Sequence, residues 1–505
     1  MSHSESQEAI FKSISPAEFF YRNRQMAGFG NPTQAVFSTI RELVENSLDS
    51  CDDARILPRV DIEIQNVTSD IITIKVSDNG TGVPPEHIPK AFARVLYGSK
   101  YSQQQKRGTF GLGVTMAILY GQISTDSPVI IHSKTQNSKA ILYRLLVDVE
   151  NNCPIVECKE ELPRTNEGTT VIIQLKGDLK RAQDRIIEYL RLSTISTPHA
   201  KLTLKIDDEV HLDLGNWSKN IPQPIRPSKP HPRSVDMEVL RRLISKNGAK
   251  GLDEFLRKSF QKMGPRTSTR FLKFMNLNPD QVVSELTREE LSRLAHALRK
   301  YDGFERPDSK CLSKIGKLDF LNAIESVFNV KTSEYASRGV SEWQGNPFII
   351  EAALATGDDF PRSDIPTLYR FVNRVPLLYD SSDGVLSRVL KRVNWSRYDF
   401  GSKEPVGLFF HLCSTKIPFK AAGKQSLASI PEIEQETHQL FRELGRKLGK
   451  ISARSMRSLR ETKKMREFSK SFRQIARFGA ALADCDEVPS TNQLVKRLFE
   501  VDSDE

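Results

Sequence analysis

The sequence lacks any run of 18 or more apolar residues, the length a helix needs to cross a bilayer, so no membrane span is expected. Residues 1–14 are polar and mixed, without the basic and then apolar layout of a secretory leader, which points to an intracellular protein. Cysteine is sparse: Cys51, Cys153, Cys158, Cys311, Cys413 and Cys485 are scattered, and only Cys153 and Cys158 stand close together. No second pair and no histidine partner completes a zinc pattern, so reduced thiols are expected. A phosphate loop with a Gly-Lys-Ser/Thr ending is also missing, which excludes that route to nucleotide binding. There are no internal repeats.

What is present suits a globular protein of several units. A chain of 505 residues is too long for one core, and about three domains are expected. Lys and Arg outnumber Asp and Glu by 74 to 63, a net charge of +11 that serves solubility and favours polyanionic partners.

Asn31 followed by Pro32 is a helix-start signal, and Val36, Ile40, Leu43 and Leu48 then recur at helical spacing. Apolar and polar residues alternate over 60–64 and 72–76, and strand-like runs follow at 129–132, 142–149, 171–175 and 202–206. The first 220 residues therefore read as an α/β sandwich with an antiparallel or mixed sheet. Prolines at 222, 224, 227, 230 and 232 mark a boundary. Residues 234–301 are helical and basic in pattern, mixed patterns return after Pro307, and 431–482 reads as one long helix.

Four segments carry chemistry. In Arg41-Glu42-Leu43-Val44-Glu45-Asn46-Ser47-Leu48-Asp49, Glu42, Asn46 and Asp49 share one helical face. Asn46 offers an amide oxygen to Mg²⁺, and Glu42 is placed to deprotonate an attacking water; alone, the segment equally fits a solvated polar face. Asp78 ends a strand before Asn79-Gly80-Thr81-Gly82, where a carboxylate can take the exocyclic amine of adenine and Gly80 and Gly82 let backbone approach the base. Gly108-Thr109-Phe110-Gly111-Leu112-Gly113 precedes an apolar helical stretch opening at Val114, an arrangement that cradles phosphate, with Ser99, Lys100, Lys106 and Arg107 lining the approach. Gly168-Thr169-Thr170 opens a strand that can close the adenine pocket, with Thr170 facing it.

In this order the four segments resemble the GHKL ATPase superfamily. The only histidine before Glu42 is His3, which excludes the phospho-acceptor helix of a histidine kinase. Only 19 residues follow Asp484-Cys485-Asp486, and Asp502-Ser503-Asp504 stands at the end, so no DNA-cleaving domain is expected in this chain. The motif wording, with Phe371-Val372-Asn373-Arg374-Val375-Pro376-Leu377-Leu378-Tyr379 and Ser414-Thr415-Lys416-Ile417-Pro418-Phe419-Lys420, is similar to the B-subunit family of type IIB DNA topoisomerase VI over residues 17–482.

That resemblance implies a multidomain α/β (α+β) fold. An N-terminal arm (1–16) precedes a GHKL ATPase sandwich (17–230) and a helix-two-turns-helix domain (231–306). A transducer ending in a long helix (307–482) and an acidic tail (483–505) follow. It also implies ATP and Mg²⁺ as ligands, and a transducer lysine that reaches the γ-phosphate, matched here by Lys424 with Lys416 as the second candidate. Dimerisation on ATP binding, a DNA-cleaving A subunit in an A2B2 assembly and double-stranded DNA are the partners implied. The setting implied is the cytoplasm beside the nucleoid, or the nucleus for a eukaryotic source. A nucleotide-dependent clamp or scaffold without strand passage, as in mismatch repair or chaperoning, is the alternative. The basic residues from Arg454 to Arg473 on the long helix suit a DNA cavity, an A-subunit dock or a solvated face alike.

Overall fold

The computed structural model of the protein describes residues 13–97, 105–107, 112–163, 166–223, 228–247, 249–378, 384–398, 405–419, 427–484, 487–488 and 490–491. Helix α1 (Pro16–Arg22) leads to α2 (Pro32–Ala54). The Asn31 side chain caps α2 by accepting the Gln34 N–H at 2.8 Å, and Pro32 occupies the first turn, where its missing N–H has no cost. Ala35, Val36, Ile40, Leu43, Val44 and Leu48 form its buried stripe.

The chain continues through β1 (Arg59–Asn66), β2 (Ile71–Asp78), α3 (Ile88–Ala93), α4 (Gly113–Thr125), β3 (Val129–Lys134), β4 (Ala140–Asp148) and β5 (Cys153–Leu162). It then forms β6 (Gly168–Lys176), α5 (Leu179–Ser196), β7 (Lys201–Ile206) and β8 (Glu209–Gly215). The eight strands order as β5-β4-β3-β6-β2-β1-β7-β8, antiparallel except where β7 runs parallel to β1. Strands β6 and β7 thus point the same way on either side of a hairpin, which requires a crossover, and α5 supplies it. Val60, Ile62, Ile64, Ile72, Ile74 and Val76 alternate onto the face covered by α2, α4 and α5. The sandwich with a mixed sheet expected from the sequence is present. The edge strands β5 and β8 escaped that reading; both are largely exposed, β5 carries no apolar alternation, and that of β8 is confined to Val210, Leu212 and Leu214.

A second core is purely helical. Helices α6 (Met237–Asn247), α7 (Leu252–Ser259), α8 (Pro265–Met275) and α9 (Arg288–Lys300) bury Phe255, Phe260, Phe271, Leu294 and Leu298 among themselves, with Val235 and Phe304 at its ends. Thr287 and Glu290 form a reciprocal capping box at the start of α9.

The third unit comprises α10 (Lys317–Val327), β9 (Thr332–Ser337), β10 (Ser341–Trp343), β11 (Asn346–Thr356), β12 (Thr367–Val372), β13 (Val375–Pro376), α11 (Val385–Arg392), β14 (Val406–Ser414) and α12 (Pro431–Leu482). Strands β10-β11-β14-β12-β13 form its sheet, with β9 also on β11. The run at 371–378 turns as a hairpin at Asn373 and Arg374, which both take positive φ, 47° and 69°. At 52 residues α12 is roughly 78 Å long. Ile433, Leu440, Phe441, Leu444 and Leu448 dock its first half on the sheet, while Phe468, Ile475, Phe478 and Leu482 are exposed farther along. Gly445, which costs helix propensity, lets the Tyr398 ring lie against α12: a Cβ there would stand 2.6 Å from the ring.

Leu192 and Ile195 of α5 enter one cluster with Ile315, Phe320, Ile324, Phe328, Phe371 and Phe409, so the first and third units share an apolar joint. Among the described residues no helix is long and apolar enough to cross a membrane.

Candidate nucleotide site

Helix α2 is the element around which the motif residues gather. Glu42 is buried, and its Oε1 accepts from the Arg41 guanidinium at 2.8 Å; Arg41 also lies 3.6 Å from Glu45. Burial alone disfavours the Arg41 charge, but the Glu42 and Glu45 carboxylates outweigh it and hold its pKa above the ordinary value. The Glu42 carboxylate lies against Gly113, the first residue of α4. A Cβ at 113 would stand 1.8 Å from Oε2 and 2.2 Å from Cδ, so any side chain there would displace the carboxylate. The carboxylate therefore sits at the N-terminal end of a 13-residue helix, whose first N–H groups have no intrahelical partners. Leu112, Gly113 and Val114 are half-buried at this helix start. Asn46 is half-buried one turn beyond Glu42.

Asp78, at the end of β2, is held by three donors. Its Oδ1 accepts from the N–H of Gly80 at 2.9 Å and of Thr169 at 3.1 Å, and its Oδ2 accepts the Ser47 hydroxyl at 2.9 Å. The first, second and fourth motifs thus meet at one carboxylate. Gly168 (φ +122°) backs directly onto it, since a Cβ would stand 2.1 Å from the Asp78 carbonyl oxygen. Gly82 (φ +71°) likewise leaves no room, with the Lys134 carbonyl 2.2 Å from the Cβ position. Thr170 pairs with Ser77 across the β2–β6 ladder, and its hydroxyl donates to Ser77 Oγ at 3.0 Å.

Asp49 and Arg107 bind each other at 2.9 Å, and Arg107 also reaches Asp52 at 2.8 Å and Thr197 at 3.1 Å. Burial opposes the Arg107 charge, yet the Asp52 and Asp49 carboxylates raise its pKa above the usual value. Asp52, in turn, is held well below the carboxylate range despite its burial, by Arg107 and by His199 at 2.7 Å. Lys106 pairs with Asp53. Ser99, Lys100, Gly108, Thr109, Phe110, Gly111 and Lys424 lie outside the described residues. Lys416 has its ammonium 5.9 Å from the centre of the Trp343 ring.

Several residues of this region escaped the sequence reading. Asp52 continues the acidic face one turn past Asp49, a helical spacing that could have exposed it. His199 and Gln105 carry no local signal, and Asn373 and Arg374, though part of a motif of the family resemblance, are joined to this region only by folding. A cavity of about 110 Å³ is lined by Asp49, Asp52, Gln105, Arg107, Asn373 and Arg374, among others, where the first and third units meet.

Beneath it, Glu351, His411 and Cys413 are fully buried with ligand-type atoms close together. Their bonds are already committed. Glu351 accepts from Ile315 N–H, Gly316 N–H, the Tyr335 hydroxyl and His411 Nδ1, at 2.7, 3.1, 2.7 and 2.7 Å. His411 Nε2 accepts the Arg374 N–H at 3.0 Å, which assigns the ring proton to Nδ1. Such a saturated network is structural, not a metal centre.

Comparison with known proteins agrees with this architecture. Residues 32–178 match the family described as histidine kinase-, DNA gyrase B- and HSP90-like ATPase, and residues 307–464 match the family described as topoisomerase VI B subunit, transducer. The B subunit of type 2 DNA topoisomerase 6 from Saccharolobus islandicus (strain Y.N.15.51) is 38% identical over 476 residues, covering 92% of this chain and 89% of the relative. The protein of the same name from Saccharolobus solfataricus is 38% identical over 463 residues, covering 90% and 87%. Among solved structures, the N-terminal domain of a DNA repair protein aligns at 12% identity with a TM-score of 0.46, over 86% of this chain and 99% of that one.

Proposed function

The chain belongs to the topoisomerase VI B-subunit family, and from that premise we propose that it is the ATP-binding and ATP-hydrolysing B subunit of a type IIB DNA topoisomerase. Glu42 acts as general base, orienting the attacking water and taking its proton. Asn46, on the same face of α2, supplies an oxygen ligand for Mg²⁺, which when bound offsets the charge of the triphosphate. The N-terminus of α4 and the glycine-rich loop before it receive the phosphates. Asp78 receives the exocyclic amine of adenine, with Gly80 and Gly82 beside it and Thr170 on the neighbouring strand. Asp49 and Arg107, paired with each other, stand beside these groups as further residues of the nucleotide site.

The residues present fit such a ligand. The carrying observation is the Glu42 carboxylate lodged against the side-chain-free first residue of α4, which supports reading that helix end as the phosphate site with Glu42 as its base.

ATP binding dimerises the subunit through its first unit, with residues 1–16 exchanged between protomers, and traps a second duplex of double-stranded DNA. The transducer passes the nucleotide state to a DNA-cleaving A subunit in an A2B2 enzyme of the cytoplasm and nucleoid. Lys424, with Lys416 as second candidate, senses the terminal phosphate as a point charge. Replacement of Glu42 by alanine tests the reading. The variant is expected to bind ATP while its turnover falls on the order of 10²- to 10⁴-fold. Relaxation of supercoiled plasmid in the presence of an A-type subunit should be lost with it. Sustained hydrolysis would refute the assignment of the base.

A further inference from the structure

Gln105, Lys106 and Arg107 immediately precede the glycine-rich loop, and all three are buried. Their partners come from two different units. Arg107 turns toward α2 through Asp49 and Asp52, and the Lys106 ammonium toward Asp53. Gln105 turns the other way. Its N–H donates to the Cys311 carbonyl at 3.4 Å, its Nε2 donates to the Ser313 carbonyl at 3.2 Å, and its Oε1 accepts the Ser313 N–H at 2.8 Å. The Lys106 carbonyl accepts from Asn373 Nδ2 at 3.2 Å.

The far side of these bonds is itself rigidly held. Asn373 bonds both backbone groups of Ser414 at 2.9 Å, which fastens the β12–β13 turn to β14. Arg374 donates its N–H to His411, its guanidinium donates to Ser313 Oγ and the Lys314 carbonyl at 3.0 Å each, and its own carbonyl accepts from Ser196 at the end of α5. Residues 311–316 are fixed again through Glu351, which takes the N–H groups of Ile315 and Gly316. Separating the loop base from this block would leave several buried donors and acceptors without partners, so the two travel together.

We infer that Gln105 and Asn373 are positioning residues that clamp residues 105–107 to the transducer, giving nucleotide binding a direct route into residues 311–316 and the 373–374 turn. This route is separate from the lysine expected to reach back from the transducer, and it rests on the reading of Glu42, Asn46 and the loop as an ATP site. Neither residue touches the nucleotide in this scheme. Each acts through the backbone it holds.

Amide hydrogen exchange over residues 311–316 of the full chain, with and without a non-hydrolysable ATP analogue, tests the clamp. The parent is expected to change its exchange there by at least about fivefold on adding the analogue. In the double variant Gln105→Ala, Asn373→Gly the response should fall to less than about twofold, with analogue affinity kept within about threefold. Glycine is chosen at 373 because φ there is +47°, so the amide is removed without backbone strain. If the double variant melts early, either single variant serves, since each removes one side of the clamp. With an A-type subunit present, ATP consumed per relaxation event should rise by about tenfold in the variants, a change that loss of folded protein alone would not produce. A response at 311–316 that persists in the variants overturns the clamp. So does a parent that takes up the analogue yet shows no response. A parent that fails to take up the analogue overturns the ATP-site reading, and the clamp with it.

Discussion

Replacing Gly113 by alanine isolates the chemistry from the fold more cleanly than removal of Glu42 does. The φ of Gly113 is not in the left-handed region, and the residue opens α4, where alanine is if anything the better helix former by up to about 1 kcal/mol. The backbone therefore accepts the methyl group. The Glu42 carboxylate does not, because the new Cβ would stand 1.8 Å from Oε2 and 2.6 Å from Cγ. Ordinary contact begins at 3.4 Å, so Oε2 must retreat by about 1.6 Å. A base displaced by more than about 1 Å costs on the order of 100-fold in rate, or about 2.7 kcal/mol of barrier. The expected result is thus a roughly 100-fold loss of kcat for ATP hydrolysis with little change in KM or in the thermal midpoint. Steady-state ATPase kinetics and a circular-dichroism melt on the same sample provide the measurement. A variant that melts like the parent and hydrolyses ATP within about threefold of it would refute the placement of Glu42 at the reacting phosphate.

Three further outcomes follow from the geometry. Asp78→Asn keeps Oδ1 for Gly80 and Thr169, and the Ser47 hydroxyl can reverse its role, so the fold should survive. Its KM for ATP should rise about 10- to 100-fold from loss of a charged acceptor for adenine, and an unchanged KM would remove Asp78 from the site. Gly168→Ala forces a Cβ to within 2.1 Å of the Asp78 carbonyl at φ +122°, and should lower the melting midpoint by at least about 4 °C; an unshifted melt would contradict the packing. Stability should also fall with acid. Burial holds the His411, His199 and His231 pKa values below the ordinary one, against the opposing pull of Glu351 on the first, Asp52 on the second and the Glu305 carbonyl on the third. Protonation then favours the unfolded chain, and their contribution, full above about pH 6.5, is lost as pH drops below it. Glu351, lowered to about 2 against its own burial by His411 and Tyr335, adds a further loss from about pH 4.5 downward. Urea midpoints at pH 7.5, 5.5 and 4 should decline in that order, and a rise between the first two would reverse the sign of the argument.

Much of the site was legible in the chain because its parts are local. Helical spacing places Glu42 and Asn46 on one face whatever surrounds them, strand alternation ends at Asp78, and a glycine cluster before an apolar helix is visible as a string. The long helix at the end and the all-helical middle are likewise written in three- and four-residue periods. Strand β5 was not legible: it lies at a sheet edge, buries little, and so imposes no pattern on its residues, while β8 at the other edge carries only the short alternation of Val210, Leu212 and Leu214. The hold on the turn at Asn373 and Arg374 was also hidden, since its bonds to His411 and Ser414 come from a strand about 40 positions along the chain.

Sequence alone determined the motifs, their order, and the family they belong to, because short-range periodicity and side-chain chemistry are properties of neighbouring residues. Tertiary structure decided which of them face one another. It turned Asp49 and Arg107 into a buried pair, seated Glu42 on Gly113, and joined Gln105 to Ser313 and Lys106 to Asn373 across about 210 to 270 positions of chain. Contacts of that separation depend on how whole sheets and helices pack, and no local pattern encodes them.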